Sequence, residues 1–475
     1  MAKQTTDAEA IPQLDVSAPR SMRTAGRLTS LLLAAFLIGL FYLAYVLVSQ
    51  SSYYMAKSGS TGYGTVYDRS GDVLFDGTKP LSSYPAGQFA DVGNLIGDAS
   101  GQMSNTLVSR NLSRLANYNF LYGKDQGQVS LTTTLSHKAN KAVFWKLGKK
   151  NGTVIACNWK TGELLCCVSK PCVDIAKGYD NLASLPENSL LCKAFYPLVP
   201  GSTQKVSTLA AAYERLGVSA VNQMQFSCAG TWLNAKGQAI KCHEAKGHGT
   251  QTLSQAFRNS CNPYFAQLIQ SGKVPLSSVI ETYTRMGYAV NGAKAESMSL
   301  DGITIAPAST TLTDAKDFDT QWGCLGQGST LVSPYQLMLW QCAIANGSGS
   351  AQKPYLISSR TDVDGKFSAV QSAGKTGSFF SAETAKAIQN VMTENAKTQY
   401  SASLGKYKCG VKSGTAQVEQ NGKAYENSLL AGFCLDDKCP VAFCVVIEER
   451  VNGELTTAQL TKTLLDSLSG INSQK

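Results

Sequence analysis

The sequence predicts a mixed α/β chain of the α+β type: a sheet made from two distant chain regions and covered by helices, behind a small pedestal and one N-terminal membrane-spanning helix. Three observations carry this. An uncharged apolar run lies near the start, nearly continuous apolar strands flank the middle of the chain, and helical periodicity fills the stretch between Ser202 and Tyr400. With 475 residues, 43% of them apolar and 16% charged, the chain can bury a sizeable core and divide into several domains.

From Leu28 to Val48 no charge interrupts LTSLLLAAFLIGLFYLAYVLV. As a helix this run covers about 31 Å, close to the ~30 Å hydrocarbon thickness of a bilayer. A cleaved signal peptide has a shorter apolar part and a small-x-small site. Here Ser-Gln-Ser-Ser-Tyr-Tyr follows, so an uncleaved anchor is expected. Arg20, Arg23 and Arg27 precede it, and the positive-inside rule places residues 1–27 in the cytoplasm and everything after the anchor outside.

Gly64 to Phe75 reads as a hairpin around Asp68-Arg69-Ser70-Gly71, and residues 95–145 as polar helical material. Together, 49–145 form the expected pedestal and 146–475 the main domain. A second hairpin runs from Thr153–Cys157 through Asn158–Gly162 to Leu164–Val168. Its return strand is almost wholly apolar, so both faces of its sheet must be covered. Lys408–Val418, Ser428–Cys434 and Val441–Glu448 read as three further strands, and Thr457–Leu468 as a final helix.

The net charge of +10 favours anionic surroundings, but the basic residues are spread along the whole length, which excludes a nucleic-acid reading. Fourteen cysteines in an exported chain permit pairing. Cys228 with Cys242, bracketing a Gly-rich loop, is the best candidate pair, and Cys434 with Cys439, around a tight turn, is a second candidate. Cys157, Cys166, Cys342 and Cys444 read as buried hydrophobes. Cys228, Cys242, His243 and His248 could supply four zinc ligands, but their spacing matches none of the common finger patterns, so no metal is expected.

With three histidines and no Gly-x-Ser-x-Gly elbow, a Ser-His-Asp hydrolase is excluded. The phosphate-loop-like Gly374-Lys375-Thr376 lacks its earlier glycine, since Ala369 occupies that place. What remains is a serine activated by lysine. Pro200-Gly201-Ser202-Thr203-Gln204-Lys205 leads into the helical stretch Val206–Leu216, so Ser202 should open a helix with Lys205 one turn below on the same face. A helix start offers free N–H groups to a developing oxyanion. A lysine can take the serine proton once burial and a second cation, for which Lys412 is the candidate, lower its pKa.

Ser-x-x-Lys also occurs at Ser350, Ser372 and Ser403, Ser-x-Asn at Ser109, and Lys-Thr-Gly at Lys375. Order and context select among them. Ser202, then Ser260-Cys261-Asn262 between two helices, then Lys412-Ser413-Gly414-Thr415 in a strand each fall in a fitting element. In these three motifs, and in Asn151-Gly152-Thr153-Val154, Gly326-Gln327-Gly328 and Ser333-Pro334-Tyr335, the sequence resembles the class B penicillin-binding proteins, the short membrane-anchored peptidoglycan D,D-transpeptidases. The likeness runs from the Gly64 hairpin to the final helix.

The resemblance implies the transpeptidase fold shared with serine β-lactamases, an antiparallel sheet covered by helices with a helical subdomain. It implies that Ser202 is the nucleophile toward D-Ala-D-Ala of a stem peptide, Lys205 its base and Ser260 a proton relay. Asn262 would hold the substrate amide, and Lys412, Ser413, Gly414 and Thr415 would bind the terminal carboxylate or a β-lactam. No cofactor is implied. Peptidoglycan stem peptides, β-lactams, the membrane and a polytopic glycan polymerase are the implied partners. A class A β-lactamase would need a Glu-x-x-Leu-Asn type segment, which is absent. A D-Ala carboxypeptidase, a β-lactam sensor or a non-catalytic wall scaffold would share the fold. A glycosyltransferase domain is not expected, because only about 100 residues separate the anchor from the main domain.

Overall fold

The computed structural model describes residues 20–470, apart from 60, 122, 125–128, 180–181 and 421. Most of the expected cytoplasmic tail, residues 1–19, lies outside the described residues. The first helix, α1 (Arg20–Lys57), contains the apolar run, and among the described residues it is the one long and apolar enough to cross a membrane. Leu31, Phe36, Ile38 and Phe41 on it are all exposed, as a lipid-facing helix requires, whereas Ala56 at its far end is buried.

The expected polar helical material of 95–145 is more varied. It holds the short helices Gly93–Ile96, Leu107–Arg110 and Leu112–Leu115, the strand Ser130–Thr133, and one long helix, α2 (His137–Leu147). The hairpin Thr65–Tyr67 and Val73–Asp76 joins Ser130–Thr133 in a five-stranded sheet completed by Ile357–Thr361 and Phe367–Ala369. This sheet therefore combines strands from within the 49–145 range with two from much later in the chain. The expected division after residue 145 also falls inside α2, whose Ala139, Val143 and Leu147 pack on the main sheet. Sequence could not show this, because α2 presents its apolar stripe to strands that follow it.

The main sheet consists of β1 (Gly152–Asn158), β2 (Leu164–Lys170), β3 (Cys409–Gln420), β4 (Lys423–Cys434) and β5 (Val441–Ile447). Its order is β3-β4-β5-β1-β2 and every neighbouring pair is antiparallel. The alternation of side chains divides the interior into two layers. Ile155, Cys157, Ala431, Cys444 and Val446 face a large core on one side. Val154, Ala156, Leu430, Phe443 and Val445 face a second core on the other, closed by α2 and the C-terminal helix through Leu460, Leu464 and Leu465.

Between β2 and β3 lie α3 (Lys205–Leu216), α4 (Leu253–Arg258), α5 (Asn262–Gln270), α6 (Pro334–Ala345) and α7 (Ala382–Gln399), and α8 (Thr457–Leu468) ends the fold. Every residue of α6 is buried, Gln336 and Gln341 included, so no polar stripe of it faces solvent. Its N-terminus is sharply set by the Ser333 hydroxyl, which accepts from Gln336 N–H, and by Pro334 at the first turn. Trp340 on α6 stacks on Tyr288 at 5.3 Å and donates its indole N–H to the Met286 carbonyl at 3.1 Å. The Tyr288 hydroxyl in turn donates to Gln204 Oε1 at 2.6 Å, which ties the centre of the core to the turn that carries Ser202.

Candidate active site

Ser202 does not open the α-helix itself. It sits on a 3-10 turn, Gly201–Gln204, that runs directly into α3. The tighter turn matters because at three residues per turn the side chains at i and i+3 eclipse. Lys205, the first residue of α3, accordingly lies straight beneath Ser202, with Nζ 2.8 Å from Oγ. Gly201 takes φ +54°, and a Cβ there would lie 2.5 Å from the Thr415 carbonyl oxygen of β3. Its N–H donates to the Gly326 carbonyl at 2.8 Å, and Gly326, at φ +91°, leaves 1.9 Å between a built Cβ and the Gly201 carbonyl oxygen. Two glycines thus lock the nucleophile turn between β3 and the loop after Cys324.

Ser260 and Asn262 come from the short connection between α4 and α5. Ser260 adopts φ +51°, a left-handed conformation uncommon for a residue with a Cβ. This turns both its carbonyl and its hydroxyl toward Lys205, at 2.7 Å and 3.3 Å from Nζ. Asn262 Oδ1 accepts from the same Nζ at 2.8 Å, and its Nδ2 donates to the Lys241 carbonyl at 3.0 Å. Lys412 reaches in from β3, donating to Ser260 Oγ at 3.0 Å and to the Ser413 carbonyl at 2.8 Å. Ser413 and Thr415, with Ser202, Ser260 and Asn262, line a cleft of about 650 Å³. Gly414 faces the Pro200 carbonyl, 2.6 Å from where a Cβ would stand. The structure therefore brings all eight sequence-derived positions to one place. Lys375, the rival, is exposed on a loop bridged to Gln352.

The electrostatics follow from burial. Lys205 is 0% exposed and Lys412 1%. Burial pushes the Lys205 ammonium down to about 7, against the opposing influence of Cys261 and Cys242. Burial, and after it the charge on Lys205, hold Lys412 well below the ordinary lysine range. The expectation that a second cation depresses Lys205 is thus altered: desolvation is the cause there, and the cation effect falls on Lys412. The rings of Phe265 and Phe257, at 5.7 Å and 5.6 Å from the respective ammonium groups, supply the apolar walls. Such a pair of lysines beside one hydroxyl can hold one charge and one free amine near neutral pH.

β3 is an edge strand of the sheet, paired along its length to β4 alone. Its free edge lies beside the cleft, so an extended peptide can add to it by main-chain hydrogen bonds. Sequence reasoning named Gln327 only within a matching segment and gave it no role; its side-chain amide donates to the Thr415 carbonyl at 3.1 Å and fixes that strand against the nucleophile turn. It also missed the Gln204–Tyr288–Trp340 chain, because nothing local marks a core tyrosine as one that reaches a catalytic turn.

The cysteines depart from expectation. All fourteen are free thiols, so neither Cys228–Cys242 nor Cys434–Cys439 is bonded. Cys228, Cys242 and His248 do converge, but the fourth member of the group is Cys261, not His243. His243 instead lines the cleft.

A family model for the penicillin binding protein transpeptidase domain matches residues 152–466, about two thirds of the chain. The chain belongs to the penicillin-binding protein transpeptidase family. Among curated relatives, the stage V sporulation protein D of Bacillus subtilis is 31% identical over 289 residues, covering 59% of this chain and 42% of that protein. The peptidoglycan D,D-transpeptidase PbpA of Mycolicibacterium smegmatis is 27% identical over 265 residues, covering 50% of each. The chain therefore matches about half the length of those curated relatives or less. Its fold is that of the D,D-transpeptidase domain of a peptidoglycan glycosyltransferase from Eggerthella lenta, with a TM-score of 0.69, 22% identity, and coverage of 86% of this chain and 98% of that one. The penicillin G acyl-enzyme complex of penicillin-binding protein A from M. tuberculosis is similar at a TM-score of 0.68 and 19% identity, covering 86% and 99%.

Proposed function

We propose that this chain is a membrane-anchored peptidoglycan D,D-transpeptidase that works through a Ser202 acyl-enzyme and is acylated by β-lactams. The observation that carries the reading is the buried Lys205 amine, 2.8 Å from Ser202 Oγ, with an ammonium pKa lowered to about 7 by burial. A neutral amine there accepts the hydroxyl proton as Oγ attacks the carbonyl of the penultimate D-Ala. The N–H groups of Ser202 and Thr415 receive the oxyanion. Ser260, hydrogen-bonded by Lys412 and within reach of Lys205, passes a proton to the departing D-Ala amine. Asn262 orients the substrate amide, while Ser413 and Thr415 bind the terminal carboxylate in the field of Lys412. The amine of a second stem peptide then attacks the ester and regenerates Ser202, forming the cross-link.

Arg20, Arg23 and Arg27 support a cytoplasmic N-terminus, with α1 crossing the membrane and residues after it outside. A polytopic glycan polymerase is the proposed partner of α1 and the pedestal. We place the boundary of the catalytic unit before His137, so that α2 belongs to it.

Membranes carrying the full chain, treated with a fluorescent penicillin, should label covalently, and Ser202→Ala should abolish the band. Incubation with a stem pentapeptide and an acceptor amine should release D-Ala and yield the cross-linked dimer. Persistent labelling of Ser202→Ala, or D-Ala release with no dimer at any acceptor concentration, would overturn the transpeptidase reading.

A further inference from the structure

The cleft does not end at the residues that would hold a terminal D-Ala-D-Ala. Beyond Thr415 it continues past Gln417 to Glu426 and Arg450, which line the same cavity as Ser202. Side chains alternate along a strand, so Ser413, Thr415 and Gln417 share one face of β3. In the register of the hairpin, Gln417 lies directly opposite Glu426 of β4. Among the described residues that line the cleft, Glu426 brings the one carboxylate, while Phe318 and Trp322, stacked at 5.4 Å, add aromatic surface.

The backbone holds Arg450 beside Glu426. β5 ends at Ile447, opposite Ser428, and Glu449 then takes φ +49° with its N–H donating to Asn427 Oδ1 at 3.1 Å. The next N–H, that of Arg450, donates to the Glu426 carbonyl at 2.6 Å. The two side chains are less firmly joined. Arg450 Nη1 stands 4.0 Å from Glu426 Oε2, beyond hydrogen-bond reach. Arg450 Nη2 donates to Asn452 Oδ1 at 3.1 Å, and the Glu426 carboxylate accepts no hydrogen bond from the described residues. Both charges are thus positioned on the cleft with bonding capacity to spare.

Resting on the transpeptidase reading above, we propose that Glu426 and Arg450 form the subsite for the third residue of the donor stem peptide, and that it selects a side chain ending in both an amine and a carboxylate, as in diaminopimelic acid.

The direction of the bound peptide brings that residue here. With the terminal carboxylate at Ser413 and Thr415 and the scissile carbonyl between the N–H groups of Ser202 and Thr415, the stem runs antiparallel to β3. Followed back toward its own N-terminus, at about 3.3 Å per residue, its third residue falls beside Ala416 and Gln417. A peptide on the free edge of β3 lies two strand spacings, about 9.6 Å, from β4. A long third side chain and those of Glu426 and Arg450 span that gap from its two ends.

The signs of the charges choose the ligand. An amine pairs with Glu426 and a carboxylate with Arg450, so a zwitterionic terminus completes a ring of alternating charge. A lysine-type side chain gains Glu426 but sets a second cation beside Arg450, and an aliphatic one desolvates both groups without a partner. Pairing of Arg450 with Glu426 alone is the competing arrangement. That contact is long and about half exposed, so a ligand that separates the two loses little.

The test uses the full chain in detergent, an acceptor amine, and three stem pentapeptides that differ only at the third residue: diaminopimelate, lysine or norleucine. D-Ala release should show kcat/KM about tenfold higher for the diaminopimelate peptide than for either other, as expected for charge-assisted hydrogen bonds. Glu426→Gln and Arg450→Gln should each bring the diaminopimelate-to-norleucine ratio close to one, chiefly through KM, and Arg450→Lys should restore part of it. Amidating the side-chain carboxylate of diaminopimelate should remove the Arg450 dependence and keep that on Glu426. Equal kcat/KM for the three peptides, a preference for lysine, or variants that slow the norleucine and diaminopimelate peptides alike would overturn the subsite. A chain that takes no penicillin label and releases no D-Ala from any peptide fails at the transpeptidase reading instead. Calorimetric Kd values for the same pentapeptides then decide the subsite: about tenfold tighter binding of the diaminopimelate peptide, lost in Glu426→Gln, supports it, and equal values overturn it.

Discussion

Replacing Lys205 by arginine tests the proposed mechanism most directly. An exposed lysine of pKa near 10.5 is only about 0.03% neutral at pH 7, whereas one at about 7 is roughly half neutral, a gain of about 10³ in free base. Arginine keeps a cation of similar reach but cannot lose its proton in a protein. Lys205→Arg should therefore lower the second-order rate of β-lactam acylation by about 10³ or more. In the wild type the same rate should rise with pH, because the neutral fraction of Lys205 grows about tenfold between pH 6 and pH 8 and then levels off. A descending limb should follow as Lys412 loses its charge, at a pH well below the ordinary lysine value of 10.5. The assay is stopped-flow acylation by a chromogenic cephalosporin across that range, with circular dichroism to confirm the fold at each pH. A flat profile from pH 6 to pH 8, or an arginine variant within tenfold of wild type, would refute the neutral-amine mechanism.

Other expectations are simpler to check. Lys375→Ala should leave acylation unchanged and stability within about 0.5 kcal/mol, since the side chain is exposed and outside the cleft. Equal loss at Lys375 and Lys412 in a labelling assay would show that the third motif was wrongly assigned. Gly326→Ala places a methyl 1.9 Å from the Gly201 carbonyl oxygen at a positive φ, and should cost about 1–3 kcal/mol in urea denaturation while slowing labelling. Trp340→Ala removes a fully buried ring and its hydrogen bond, and chemical denaturation should register a loss of about 3–5 kcal/mol. If its labelling rate per folded molecule also falls, the Trp340–Tyr288–Gln204 chain supports the nucleophile turn as well as the core.

Local chemistry was enough to find much of this protein. The apolar stretch of 28–48, the two-sided strands of 153–168 and 441–447, and the helix of 457–468 carry their periodicity within a few residues, so each is legible without a partner. The three motifs are equally local, and their order along the chain separated them from the decoys at Ser350, Ser372 and Lys375. Tertiary structure decided what depends on distant neighbours. Lys412 meets Ser260 across 152 residues, and the depth that lowers the Lys205 pKa comes from Phe265 and the packing around α3. The place of the strands of 357–369 and that of α2 were hidden because a stripe of apolar residues does not name the surface it will cover. Cys261 was hidden for a related reason: sequence put it inside a catalytic motif, and only the folded backbone shows that alternate residues of that loop face opposite ways, one set toward Lys205 and the other toward a cluster of sulfur and imidazole.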